Sequence, residues 1–188
     1  MLYGLFDRRT GWVDLGLVWL TSLAGNLAGS VLFGLLVHAG GTLDPGTPGG
    51  RYVHTIVAAK NAASGGQLFA RAVLCNMLVC LALWMATRTS GDAAKLVVLW
   101  WPLLAFVGSG FEHSVANMTI YTLDVANGGS SWWDLARNLV WTVPGNVVGG
   151  GLLVAAAYRF VAGGTAGATV IVANPVDAVP VAPVPSRT

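Results

Sequence analysis

Charge is scarce in this chain. Only 10% of its 188 residues are Asp, Glu, Lys or Arg, 55% are hydrophobic, and the mean hydropathy is +0.67. A soluble domain carries about 25% charged residues, so a water-facing globule is excluded. The net charge of +2 comes without any Lys/Arg cluster, which removes a grip on nucleic-acid phosphates. Cysteine is nearly absent. Cys75 and Cys80 lie five apart in an apolar run, on different faces of a helix, so neither a disulfide nor a metal pair is expected. His38, His54 and His113 have no metal-ligand spacing, and no metal or cofactor is implied. Met1–Phe6 does not read as a signal peptide: it is apolar but short, and Asp7-Arg8-Arg9 follows at once. This start reads as the tail of a span whose beginning is absent.

Long hydrophobic runs are what the chain has instead. The first expected span covers about residues 12–38, with no charge after Asp14, and is long enough to cross roughly 30 Å of hydrocarbon. Gly, Pro and polar residues make 39–56 a loop. The second span covers about 57–87, amphipathic in its first half (Lys60, Asn61, Gln67, Arg71) and apolar in its second. Lys60 and Arg71 are eleven apart, which puts both on one side of a continuous helix. An interrupted span follows at about 96–122, and the last covers about 132–161. Residues 1–162 form the transmembrane domain. From 163 to 188 the chain is an Ala/Val/Pro-rich tail, expected to be disordered. The eight Trp suit interfacial anchoring in lipid. Arg8, Arg9, Arg88, Lys95 and Arg159 fall on one side, Arg51, Lys60 and Arg137 on the other. The positive-inside rule therefore places the C-terminus in the cytoplasm of a cell-membrane protein.

The interruption at 102–119 organises the rest. Pro102, Gly108 and Gly110 weaken a helix there, and Glu112 and His113 put two ionisable groups where hydrocarbon belongs. Broken backbone is tolerated in a membrane only where it finds partners or lines a wet cavity. An acid or histidine at that depth marks a path for ions, protons or solute. The plain alternative is a broken helix whose Glu112 and His113 satisfy each other. An integral membrane enzyme using the pair as acid and base is another, but no nucleophile, metal set or cofactor loop accompanies it.

A repeat runs at an offset of 120 residues: Trp12/Trp132, Asp14/Asp134, Leu15/Leu135, Gly25/Gly145, Asn26/Asn146, Gly29/Gly149 and Leu32/Leu152. The copies lie three crossings apart, an odd number, so the second is inverted. Met1–Leu5 also resembles Met118–Leu123. On this logic about 60 residues upstream are absent, one span and one broken helix, and the chain is an N-terminally truncated form.

These residues carry a resemblance to the formate/nitrite transporter family. The motifs are F-x-x-S-G-F-E-H-S-V-A-N-M at Phe106–Met118, the L-C-N-M-L-V-C-L-A run at Leu74–Ala82 with Lys60 upstream, and G-N-x-x-G-G-G at Gly145–Gly151. The resemblance implies an all-α integral membrane fold, an aquaporin-like bundle on an inverted repeat with four of six expected spans present, one interrupted. It implies a homopentamer in lipid carrying small monovalent weak-acid anions, formate or nitrite. His113 would be the central pore histidine, with Phe106 at the constriction on one side and Val79 on the other. Lys60 would be the vestibule lysine, and Asn76 and Asn146 polar groups along the path. Glu112 is expected to brace the broken helix or pair with a cation. The asparagines would alternatively bond freed backbone. A third role for the chain is as a non-transporting subunit that only assembles with full-length partners.

A bare anion crosses hydrocarbon at great cost, and a neutral acid of the same size does not. Lys60 would concentrate the anion, the apolar rings would exclude bare charge, and His113 would give up a proton and recover it from water.

Overall fold

The computed structural model describes residues 11–163, and among these there is no strand. The helices run α1 Trp12–Ala39, α2 Pro48–Ala62, α3 Gly65–Arg88, α4 Asp92–Gly108, α5 Ser114–Ala126 and α6 Trp132–Asn146. A π-helical stretch, Val147–Val154, then leads into α7, Ala155–Gly163. The all-α membrane fold expected from the sequence is the one present. Trp12–Ala39, Gly65–Arg88 and Trp132–Val161 are long and apolar enough to cross a membrane. The 163–188 tail beyond Gly163 and the Met1–Leu5 segment lie outside the described residues.

The helix expected over 57–87 is divided. It breaks at Ala63-Ser64, where Ala63 leaves the helical region at ψ 143° and Ser64 opens a new helix. Ser64 Oγ accepts from Gln67 N at 3.3 Å while Gln67 Oε1 accepts from Ser64 N at 2.9 Å, a reciprocal capping box. Arg137 on α6 holds the other side of the break, donating to the carbonyls of Asn61 (3.0 Å) and Ala63 (2.8 Å). Lys60 and Arg71 therefore sit on separate helices, and the shared face expected of them does not exist.

The interrupted span breaks at 109–113. Pro102 is absorbed within α4. The stop is Gly110, whose φ of +65° suits glycine. Around it Phe111 N donates to Phe106 O (3.0 Å) and Gly110 N to Val107 O (3.1 Å), a Schellman end. At about 1.5 Å per residue, α4 and α5 reach roughly 25 and 20 Å, each short of a full crossing.

Helix α3 packs against α4, α6 and the π segment, while α5 packs against α1, α2 and α6. Glycine lets backbones meet: a Cβ at Gly145 or Gly149 would fall on the main chain of Phe69 or Val73 in α3. In the second half of α1, Gly34 lies against Thr122 of α5.

Candidate functional site

The two half-helices meet at Glu112-His113, and four elements fasten that junction. Glu112 is fully buried. Its Oε2 accepts from Lys60 Nζ on α2 at 2.8 Å, from Asn117 Nδ2 on α5 at 2.6 Å and from Asn138 Nδ2 on α6 at 3.4 Å. Its main-chain N–H donates to Arg71 O of α3 at 3.4 Å. Asn117 Nδ2 and Thr142 Oγ1 also donate to Asn138 Oδ1, at 2.8 and 3.3 Å, so the acid sits in a polar knot inside apolar packing. The other carboxylate oxygen, Oε1, is buried without a protein partner. Lys60 is itself only 8% exposed. An ion pair this deep is poor evidence of net stabilisation, but removing either member leaves a buried charge, which costs about 3–5 kcal/mol.

Glu112 and His113 do not satisfy each other. His113 caps α5, its ring Nδ1 accepting from Ala116 N at 3.3 Å. That bond needs an unprotonated Nδ1, so the neutral ring carries its proton on Nε2. The Phe106 ring stacks on the imidazole, centroids 5.9 Å apart and planes 29° from parallel. The Schellman end at Gly110 makes this possible by folding the loop back over α4. Val79, on α3, is half-buried.

Asn146 ties the start of α5 to α3 and α6. Its Oδ1 accepts from Ser114 N (3.0 Å), and its Nδ2 donates to Ala72 O (2.8 Å) and Glu112 O (2.9 Å). Asn76 Nδ2 donates to the Asn146 carbonyl at 2.6 Å. Both asparagines thus bond freed backbone, one of the two uses expected of them. They also line, with Asn26, Ser114 and Cys80, a cavity of about 610 Å³ between α1, α3 and the α6–π helix. His113, Phe106, Val79, Lys60 and Glu112 are not among the residues lining it.

Sequence reasoning missed Asn117, Asn138, Thr142 and Arg137. The signal for Asn138 was Thr142 four residues on, which puts two polar groups on one face of α6. Asn117 stands inside the motif itself, five residues after Glu112. Among the described residues no group of three or more His, Cys, Asp or Glu could hold a metal ion.

A family model described as formate/nitrite transporter matches residues 1–160. The nitrite transporter NirC of Escherichia coli (strain K12) is 43% identical over 161 residues, covering 84% of this chain and 58% of the relative. The formate channel BtFdhC of Bacillus thuringiensis is 39% identical over 145 residues, covering 75% and 53%. The chain therefore spans little more than half the length of these curated relatives. Among solved structures, an FNT family ion channel superposes with a TM-score of 0.77 at 37% identity, covering 84% of this chain and 64% of that one. A pentameric formate channel with formate bound superposes with a TM-score of 0.69 at 29% identity, covering 80% and 68%.

Proposed function

The chain belongs to the formate/nitrite transporter family, and from that premise we propose that it forms part of a membrane path for small monovalent weak-acid anions, formate or nitrite. Its work is transport, not catalysis. The observation that carries the reading is the junction itself: an imidazole held between two half-helices, stacked on Phe106, with a buried acid beside it already neutralised by Lys60.

His113 is the proton-exchanging group in this proposal. The ring takes a proton at Nδ1, which breaks the Ala116 cap, passes a proton to the anion, and regains the cap as neutral imidazole. The anion leaves as the neutral acid, which crosses an apolar waist far more cheaply than the ion. The partial positive charge at the start of α5 favours an anion at that point. Phe106 and Val79 bound the waist. Lys60 has a positioning role in this proposal: with its ammonium 2.8 Å from Glu112, it holds the loop that carries His113. Asn76 and Asn146 line the path while holding its backbone.

Assembly as a homopentamer in the cell membrane, with the C-terminus cytoplasmic, is proposed on the pentameric neighbour and the loop charges. The test is uptake of labelled formate and nitrite into vesicles carrying the chain, at two pH values, with His113→Asn alongside. We expect uptake that rises as the pH falls and a variant that loses this dependence. Uptake with the same pH response in the variant overturns the role of His113, and no uptake at all overturns transport by this chain.

A further inference from the structure

A second histidine–carboxylate pair sits at the other end of the α2–α5 contact. His54 Nδ1 lies 3.1 Å from Asp124 Oδ1. The Asp124 side chain is only 2% exposed, while that of His54 is 56% exposed. The second carboxylate oxygen, Oδ2, is buried and has no partner in the protein. Asp124, His54, Arg51 and Asn127 line a pocket of about 300 Å³. Main chain roofs the pair: a Cβ at Gly129 would fall on both Asp124 Oδ1 and His54 Nδ1, so a larger residue there would displace the pair.

We propose that this pair is a proton-binding site, separate from His113, which draws α2 onto α5 as the pH on that side falls. A buried carboxylate is costly without a counter-charge. Neutral His54 offers Asp124 only an N–H donor, whereas the protonated ring supplies the missing charge through the same contact. Charge-assisted hydrogen bonds are roughly twice as strong as neutral ones. Histidine is the side chain whose charge changes between about pH 5 and 8. The contact is therefore strongest with the ring protonated and weakens as the pH rises.

The groups facing His54 do not supply a rival. Asp124 comes from α5, and Arg51 from its own helix is turned to the Gly46 carbonyl at 2.6 Å. The α5–α6 turn contributes Asn127 and Gly129, which do not titrate. His38 of α1 is bonded to Asn127 at 2.8 Å rather than to the pair.

The position of α2 has consequences for the junction. Two side-chain contacts hold it on α5, His54–Asp124 and Asn61–Tyr121 (2.8 Å), and a third, Lys60–Glu112, ties it to the loop that leads into α5. Lys60 lies six residues beyond His54, about 9 Å along the helix. Tightening the His54 end therefore steadies the lysine that holds the loop before His113.

The test is hydrogen–deuterium exchange of the full chain in nanodiscs of uncharged lipid, at about pH 5.5 and about pH 8, with exchange times rescaled for the chemical rate. Peptides from residues 48–62 should be several-fold more protected at the lower pH. His54→Gln and Asp124→Asn should each remove that difference while leaving 65–88 unchanged. His54 is exposed enough that its glutamine variant should fold even where the aspartate variant does not. Protection of α2 that is independent of pH in the unmodified chain overturns the proposal, and so does a pH response that survives His54→Gln. The readout does not depend on transport, so it stands or falls apart from the role given to His113.

Discussion

Helices α1 and α6 carry one sequence signature and meet opposite surroundings. Each begins Trp-x-Asp-Leu and continues through Gly-Asn-x-x-Gly. In α6 and the π-helical stretch that continues it the signature is filled. Gly145 and Gly149 lie against the main chain of α3, and Asn146 bonds three backbone groups at the junction of the half-helices. In α1 the same residues stand open: nothing comes within 4 Å of a Cβ built at Gly25 or Gly29, and Asn26 is exposed and lines the 610 Å³ cavity. Only the second half of α1, through Ser30 and Gly34, is pressed onto α5. A glycine–asparagine face is thus a docking surface, and whether it acts as one depends on what reaches it.

Substitutions at matched positions would break or sharpen that contrast. The largest effect is expected from Gly149→Val, which drives side-chain atoms into the Val73 main chain and should cost about 3 kcal/mol or more. Gly29→Val should change thermal unfolding in detergent little. Equal losses at both sites would mean that the α1 face is covered in the assembled protein. Next comes Asn146→Ala, which unties Ser114, Ala72 and Glu112 at once and should cost about 2–3 kcal/mol. Asn26→Ala should stay within about 0.5 kcal/mol by the same measurement. The last pair differs in sign. Gly25→Ala adds a methyl to open space on a helix and should raise stability by about 0.5–1 kcal/mol. The same change at Gly110, held at φ +65°, should lower it by about 1 kcal/mol.

Local signals were legible in the sequence, and distant ones were not. The long apolar runs marked α1, α3 and α6, and glycine beside Glu112-His113 marked the interruption, because composition and turn chemistry act within a few residues. The split at Ala63-Ser64 escaped because the long apolar run from Ala72 onward was extended back across it, although Ser64 and Gln67 spelled a capping box. The partner of Glu112 escaped for another reason. Lys60 is 52 positions away, and only the packing of α2 across α5 brings the two to 2.8 Å. Asn146 was recognised as polar where polarity is costly, but the three carbonyl and amide groups it serves belong to three other segments. The motif around His113 pointed to the junction of the half-helices, and tertiary packing decided which side chains hold it.

The π-helical stretch at Val147–Val154 has its own consequence. Main-chain bonds that skip to the fifth residue spread each turn over more residues than in α6 before it or α7 after it. Every side chain beyond Val154 is thereby rotated about the axis relative to where an unbroken α-helix would aim it. Tyr158, whose hydroxyl accepts from Arg88 at 3.1 Å, owes its aim toward α3 to that offset. Shortening the Gly149-Gly150-Gly151 run by one residue would swing the far end of the helix round by about a quarter turn, carrying Tyr158 away from Arg88 without altering either side chain.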